Sequence, residues 1–232
     1  MTLARRRPIV MLVTSRARLA ERVGAAPNDI ERVTPHLLSQ IESAAAAGVT
    51  VIQLREPDLE ARALARLTRA AMRVIEGTEA SLVVNGRVDV ALAAQAHGVH
   101  LPERGLPADR VRALLPPPSL VGASIHAPVE EQDGRSLDYA VFGTIYGTRS
   151  KAPGQALAGL DGLRRAVDGS AVPVLAIGGV TVARVAEIAA TGAAGFAAIE
   201  LFLPASASSS SASLRKILES AHEAFDTVGG VS

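Results

Sequence analysis

The chain contains no cysteine among its 232 residues. Disulfide bonds, zinc sites built from thiolates and thiol nucleophiles are therefore excluded. This composition fits a reducing compartment, and we expect the protein in the cytoplasm. An excess of charge of one sign is also lacking, because 24 Lys and Arg residues balance 23 Asp and Glu residues to a net charge of +1. The basic cluster at residues 5–7 is only a tripeptide, so no nucleic-acid partner is predicted.

Long hydrophobic runs near the amino terminus are absent as well. The basic tripeptide is followed by only six apolar residues, 8–13, before Thr14 and Ser15. That run is too short for the hydrophobic region of a signal peptide or for a membrane span. We interpret it as a buried strand and expect no membrane partner. The content of 48% hydrophobic and 20% charged residues excludes wholesale disorder, and the length fits one domain.

Short β-branched runs alternate with longer alanine-rich amphipathic stretches, which is typical of repeated βα units and a parallel sheet. Eight strands with eight connections predict a single TIM (β/α)8 barrel, with an open doubly wound sheet as the alternative. We take 1–232 as one barrel domain with a core at 9–202, a serine-rich linker at 204–212 and a last helix at 213–226. The predicted strands cover residues 9–14, 49–54, 81–85, 98–101, 120–126, 139–143, 172–177 and 195–201.

The strongest signal for phosphate binding follows the seventh predicted strand, in the motif AIGGVT. Gly178 and Gly179 allow backbone N–H groups to approach an anion, and a helix expected from Thr181 adds free donors. In barrels, the loops after strands seven and eight are a frequent phosphate site. A tight turn that needs glycine for its conformation alone is the alternative.

A second phosphate-binding segment is predicted after strand six, in the sequence FGTIYGTRSKAPG. Its glycines, the hydroxyls of Thr148 and Ser150 and the ammonium of Lys151 suit a phosphate or pyrophosphate clamp. A solvated basic loop is the alternative.

His126 ends the run LVGASIH, two residues after Ser124 and on the same face of the strand. An imidazole at the carboxyl end of a barrel strand can exchange a proton near neutral pH, so we predict an acid/base role. A structural histidine is the alternative. No metal–histidine site is predicted, because His97 and His100 lie three apart around a short strand and point to opposite faces.

In the segment VIQLREPD, Gln53 and Arg55 alternate with Leu54, so both side chains are expected at the barrel mouth. The planar fork of Arg55 could hold a carboxylate or phosphate, and an ion pair with Glu56 or Glu200 is the alternative. Asn85 ends the third predicted strand on the same face of the barrel. Asp58 is interpreted as the start of the following helix.

Taken together and in order, the motifs resemble those of thiamine phosphate synthases and their relatives, the TenI-type thiazole tautomerases. The motifs are VIQLRE, VVNGRVDVALAAQAHGVHLP, VGASIH, LDYAVFGTIYGTRSK, PVLAIGGV and GFAAIELF. The resemblance covers about residues 9–202. It implies a TIM barrel, in agreement with the strand count.

The chain departs from the synthase pattern where two aspartates usually hold magnesium. Gly86 and Gly105 occupy those places, and Pro57 replaces a usual lysine. Mg2+ prefers oxygen ligands, often one or two carboxylates with substrate phosphates, so losing both should weaken binding of a pyrophosphate leaving group. We therefore predict no cofactor and no metal site. Only the synthase alternative would use Mg2+, with Glu103 or Asp89 as a ligand.

The resemblance to the tautomerases implies proton transfer on a thiazole phosphate, with His126 as the general acid or base. The substrate phosphate would contact backbone N–H groups near Gly178, Gly179 and Ile199. Glu200 stands where the family usually has serine, and its carboxylate would repel the phosphate unless Arg55 paired with it.

Three functions follow from the sequence. The first is a metal-independent thiazole tautomerase, and the second is a thiamine phosphate synthase that uses Mg2+. The third is a barrel without catalysis that binds a thiazole phosphate, thiamine phosphate or a partner enzyme. We favour the first, with a small phosphorylated thiazole or thiamine phosphate as the partner molecule, and we expect a homo-oligomer.

Overall fold

Eight parallel strands close into a barrel in the computed structural model of the chain, which describes residues 3, 8–148, 157–204 and 211–229. Each strand pairs with the next along the chain, and β8 pairs with β1. This topology confirms the predicted TIM barrel and excludes the open sheet. The strands are β1 Ile9–Val13, β2 Val51–Leu54, β3 Ser81–Asn85, β4 Gly98–Leu101, β5 Leu120–Ile125, β6 Tyr139–Gly143, β7 Val174–Ile177 and β8 Gly195–Ala198.

Helices follow the strands and cover the outside of the barrel. Their bounds are α1 Arg16–Val23, α2 Ile30–Ala47, α3 Ala61–Val74, α4 Val88–Ala94, α5 Ala108–Leu114, α6 Glu131–Gly134, α7 Gly159–Asp168, α8 Val185–Ala189 and α9 Ser211–Gly229. Short 3-10 turns at Val182–Arg184 and Glu200–Phe202 follow β7 and β8. Helices α1 and α6 were not predicted from the sequence.

Alternation along the strands builds two apolar layers. In β1, the side chains of Ile9, Met11 and Val13 belong to the cluster inside the barrel. Val10 and Leu12 belong to the larger cluster between the sheet and the helices. Because successive strand residues point to opposite faces, the barrel interior is filled and only its ends are open to a ligand.

Two sequence predictions need correction in the last third of the chain. Helix α9 begins at Ser211 and ends at Gly229, so it extends beyond the predicted bounds 213–226 at both ends and includes residues 211–212 of the linker predicted at 204–212. Residues 205–210 of that linker lie outside the described residues. After β7, the chain forms a 3-10 turn and the short α8, where one helix from Thr181 was expected. Within the described ranges, no helix has the length and apolar content needed to span a membrane.

Candidate active site at the carboxyl ends of the strands

A cavity of about 570 Å³ opens at the carboxyl ends of the barrel strands. It gathers ten of the residues predicted from the sequence: Gln53, Arg55, Asn85, Ser124, His126, Thr148, Gly178, Gly179, Ile199 and Glu200. The predicted Ser150 and Lys151 lie outside the described residues. Five further polar residues of the wall were not among the predicted substrate-binding residues: Ser15, Arg18, His100, Glu103 and Thr144. Of these, Glu103 was considered from the sequence only as a possible magnesium ligand.

Gln53 and Asn85 form one wall of the cavity. The Gln53 Nε2 amide donates to Asn85 Oδ1 at 2.9 Å, which joins the ends of the neighbouring strands β2 and β3. Leu54 lies in the outer layer, so the predicted alternation of Gln53 and Arg55 toward the mouth is confirmed. This single hydrogen bond holds the two amides against each other at the cavity wall.

Arg55 is held by its backbone and leaves its guanidinium at the mouth. Its N–H donates to Thr14 Oγ1 at 3.0 Å, and the Thr14 hydroxyl donates to Glu56 Oε1 at 2.7 Å. Among the described residues, no carboxylate lies within ion-pair distance of the Arg55 guanidinium. The alternative that Arg55 pairs with Glu56 or Glu200 is therefore wrong. Arg55 lines the cavity, where its guanidinium is available to a ligand.

Glu56 contacts Arg16 beneath this mouth. The Arg16 backbone N–H donates to both Glu56 carboxylate oxygens, at 3.2 and 3.0 Å. Burial raises the pKa of the Glu56 carboxyl, while the Thr14 and Arg16 hydrogen bonds oppose that shift. The Arg16 guanidinium also binds Asp58. Asp58 does not start α3, as the sequence predicted, because that helix begins three residues later, at Ala61.

His126 and Glu103 form a pair at the rim. His126 Nδ1 lies 3.1 Å from Glu103 Oε1, and both side chains are more than half exposed, at 53% and 55%. Each residue follows a strand, β4 for Glu103 and β5 for His126. A carboxylate at this distance can hold the imidazole in one orientation, so the pair has the geometry of a general acid/base.

His100 lies deeper in the barrel, between Tyr139 and Ser124. Its Nδ1 is 3.2 Å from the Tyr139 hydroxyl, and its Nε2 is 2.9 Å from Ser124 Oγ. Burial, aided by the positive charge of Arg55, lowers the pKa of His100 to about 3. The imidazole is therefore neutral at physiological pH. His97 directly precedes β4 and is exposed, so the two imidazoles lie at opposite ends of this strand.

Gly178 and Gly179 form the turn after β7, and both have positive φ angles of 103° and 63°. A Cβ atom at position 178 would lie 2.3 Å from Thr144 Cγ2, and one at position 179 would lie 2.6 Å from the Gly147 carbonyl oxygen. Conformation and close packing thus both require glycine here. Gly178 and Gly179 also line the cavity. They can therefore form the turn and contact a ligand at the same time.

Glu200 lines the cavity and pairs with two arginines of α1. Its carboxylate lies 3.8 Å from Arg18 Nε and 3.4 Å from Arg22 Nη2. Helix α1 is capped by the Ser15 side chain, which accepts the Arg18 backbone N–H. That serine, followed by the amphipathic stretch RARLAERV, was the sequence signal that could have revealed α1 and its arginines.

The carboxylates near the cavity do not fit a magnesium site. Glu103 is paired with His126, and Glu200 is paired with two arginines. Asp89 does not line the cavity and accepts hydrogen bonds from Arg87 at 2.8 and 2.6 Å. In the part of the chain that the structure describes, no three His, Asp or Glu residues are grouped to hold a metal ion. Gly86 and Gly105 provide no ligand side chain.

Comparison with known proteins gives a consistent family. The family model described as thiamine monophosphate synthase matches residues 26–202. The chain is 37% identical over 205 residues to a thiamine-phosphate synthase of Roseiflexus castenholzii, covering 86% of this chain and 82% of that protein. It is 34% identical over 173 residues to one of Vibrio parahaemolyticus, covering 74% and 85%.

A solved structure agrees with these relatives. The thiamine phosphate pyrophosphorylase of Pyrococcus furiosus superposes with a TM-score of 0.70 at 25% identity, covering 95% of this chain and 96% of that one. The resemblance stated from the motifs is confirmed. The relatives are named as synthases, so the comparisons favour the synthase alternative over the tautomerase that we expected from the sequence.

Proposed function

Because the chain belongs to the thiamine monophosphate synthase family, we propose that it joins a thiazole phosphate to a pyrimidine pyrophosphate. The observation that carries this proposal is the cavity itself. The Gln53–Asn85 pair, Arg55, Ser124 and the Gly178–Gly179 turn line one space of about 570 Å³. This volume lies in the range of small-molecule sites, and the names of the relatives support a synthase.

The coupling reaction places a definite demand on these residues. The thiazole ring nitrogen forms a bond to the methylene carbon of the pyrimidine, while the bond from that carbon to the pyrophosphate oxygen breaks. Pyrophosphate leaves with the electron pair, so catalysis requires stabilisation of its growing negative charge. Arg55, whose guanidinium has no carboxylate partner among the described residues, is the group we assign to that charge.

The phosphate of the thiazole is assigned to the turns after β7 and β8. Gly178, Gly179 and Ile199 line the cavity there, and Glu200 next to them pairs with the arginines of α1. Backbone N–H groups and helix termini are general phosphate ligands. Ser150 and Lys151 retain the phosphate-binding role proposed from the sequence.

Proton transfer on a thiazole phosphate is the second candidate function, and the His126–Glu103 pair favours it. A neutral imidazole can take a proton from one ring atom and return it to another, with the carboxylate 3.1 Å away stabilising the intermediate imidazolium. This reaction needs no pyrophosphate and no metal. It is therefore compatible with Glu103, Glu200 and Asp89 being paired with other side chains and not free to bind a metal ion.

A coupling assay with both substrates tests the proposal. We expect thiamine phosphate to form, with weaker dependence on Mg2+ than in a family synthase that carries both aspartates. Arg55→Gln should lower the rate at least tenfold, whereas Arg62→Gln, an exposed arginine of α3 away from the cavity, should not. A folded protein that forms no thiamine phosphate with or without Mg2+ would contradict the synthase proposal. Thiazole tautomerisation that is abolished by His126→Asn would then establish the second candidate.

A further inference from the structure

A polar line crosses the otherwise apolar interior of the barrel and ends at the cavity. It consists of Tyr139 at the start of β6, His100 in β4 and Ser124 in β5. Tyr139 and His100 are nearly inaccessible, at 0% and 1% exposure, and their rings stack with centroids 5.7 Å apart. His100 and Ser124 both line the cavity, and Ser124 ends the line there. The proposed function uses none of the buried groups in this line.

The hydrogen-bond directions along this line follow from the number of available partners. Within the described ranges, the Tyr139 hydroxyl has one polar partner, His100 Nδ1. A buried hydroxyl that failed to donate would leave its hydrogen unsatisfied at a cost of about 1–3 kcal/mol, so Tyr139 donates and Nδ1 accepts. The neutral imidazole then carries its hydrogen on Nε2 and donates it to Ser124 Oγ.

The end of the line determines what the cavity can recognise. Because Ser124 Oγ accepts from His100, the serine's own hydrogen points elsewhere, and Ser124 has no second partner among the described residues. We propose that Tyr139 and His100 are positioning residues that fix the Ser124 hydroxyl as a hydrogen-bond donor to the substrate. The substrate atom at this point is then an acceptor, either an anionic oxygen or an unprotonated ring nitrogen.

Packing around Tyr139 and His100 holds the two rings in place. At Gly122, a Cβ atom would lie 2.0 Å from Tyr139 Cζ, so the glycine provides the room in which the ring is held. The low pKa of His100, caused chiefly by burial, keeps the imidazole from becoming a donor at both nitrogens.

The first test measures the histidine directly and needs no substrate. In the intact protein labelled with 15N histidine, we expect His100 to show the tautomer protonated on Nε2, unchanged between pH 5 and pH 8. Its resonances are assigned by their loss in His100→Gln. Tyr139→Phe should move the population toward the Nδ1-protonated tautomer, whereas Ser124→Ala should leave it unchanged. A wild-type imidazole protonated on Nδ1, or charged at pH 6, would overturn the proposal.

The second test uses turnover and rests on the proposed function. Ser124→Ala and Tyr139→Phe should each lower kcat/KM about tenfold, the effect of about one hydrogen bond. The double variant should be no worse than Ser124→Ala alone, because Tyr139 acts only through the serine. Multiplied losses in a double variant that stays folded would show a separate structural effect of Tyr139 and overturn the positioning role. Inactive wild-type protein would contradict the proposed function, while the tautomer measurement would still decide this inference.

Discussion

The Glu56 carboxylate accepts the Arg16 backbone N–H at both of its oxygens and lies 3.9 Å from the Arg16 guanidinium. The two side chains are nearly buried, at 3% and 2% exposure. Since Arg16 begins α1 and Glu56 follows β2, the pair ties two of the loops that form the cavity mouth. Arg55 lies directly next to it in the chain and shares Thr14 with Glu56.

Replacing Glu56 with Gln should therefore destabilise the protein. The glutamine amide keeps one acceptor oxygen but presents an NH2 group to the Arg16 backbone N–H. It also removes the negative charge of Glu56 from beside the buried Arg16 guanidinium. Breaking buried charge pairs costs about 3 kcal/mol or more, and urea unfolding measures the loss. Glu131→Gln removes only an exposed carboxylate paired with Arg135 and should leave the unfolding midpoint unchanged. Equal midpoints in both variants would contradict a structural role for the buried pair.

His100 should make stability depend on pH in a defined window. Its folded pKa is about 3 against an ordinary 6.5, chiefly because burial disfavours the charged form. The unfolded chain therefore binds a proton below pH 6.5 that the folded protein does not bind. Stability from this residue is complete above pH 6.5 and is lost as the pH falls. The loss amounts to about 2 kcal/mol between pH 7.5 and pH 5.

Unfolding free energies of wild type and His100→Gln, measured over that range, test this expectation. The wild type should lose about 2 kcal/mol more than the variant as the pH falls. His36→Gln removes an exposed histidine and should retain the wild-type slope. Parallel profiles for wild type and His100→Gln would show that His100 titrates normally in the folded state.

The two glycines after β7 should respond to substitution differently from a glycine that has only a positive φ. Gly24→Ala introduces alanine at φ 65° with no atom within 4 Å of its Cβ, and it should cost about 1 kcal/mol. Gly178→Ala combines a φ of 103° with a contact of 2.3 Å to Thr144. It should cost about 2 kcal/mol more, because the neighbour must shift.

Inorganic phosphate binding separates the roles of these glycines further. Titration calorimetry at neutral pH should show weaker phosphate binding in Gly178→Ala and unchanged binding in Gly24→Ala. If phosphate binds Gly178→Ala as well as wild type, the turn after β7 has a conformational role only.

Placing aspartate at position 86 should make the rate of thiamine phosphate formation depend more strongly on Mg2+. Gly86 has a φ of 67°, a region that aspartate tolerates better than most residues, and the nearest atom to a Cβ there is Pro102 Cδ at 3.6 Å. Gly86→Asp should therefore fold and, with Mg2+, increase the rate of thiamine phosphate formation. Gly86→Asn is the matched variant without charge, and an equal increase in that variant would exclude an effect through the metal.

Aspartate at position 105 should destabilise the protein more than aspartate at position 86. A Cβ at Gly105 would lie 2.8 Å from the Pro102 carbonyl oxygen, so Gly105→Asp forces the backbone to move. We expect a lower melting temperature for Gly105→Asp than for Gly86→Asp, measured by circular dichroism. Identical melting temperatures would show that this loop adjusts without cost.

Glu200 should limit phosphate binding. Its carboxylate competes with an anion for Arg18 and Arg22 and repels that anion directly. Glu200→Gln should therefore bind inorganic phosphate more tightly than wild type, with the largest gain at low ionic strength. Glu131→Gln provides the control, because it removes the same charge from an exposed carboxylate that pairs with Arg135 and does not line the cavity. A matching gain in Glu131→Gln would assign the effect to net charge instead of to the cavity.

Particular residues show how far the sequence could predict the site. The order of strands and the position of strand ends placed ten predicted residues around one cavity, because parallel strands deliver their carboxyl ends to the same rim. Asp58, by contrast, was assigned to a helix start, although it binds Arg16 from a different loop. The Glu103–His126 pair and the arginines of α1 were missed for the same reason, since their contacts join segments far apart in the chain.

The sequence by itself determined the barrel, its strands and the family, because periodic hydrophobicity and short motifs are local properties that survive without knowledge of contacts. Only the tertiary structure decided which charges meet. It pairs Glu200 with Arg18 and Arg22 instead of with Arg55, and it buries His100 between Tyr139 and Ser124. Coulomb interactions and desolvation depend on distances of a few ångströms between remote segments, and these distances exist only after the barrel has closed.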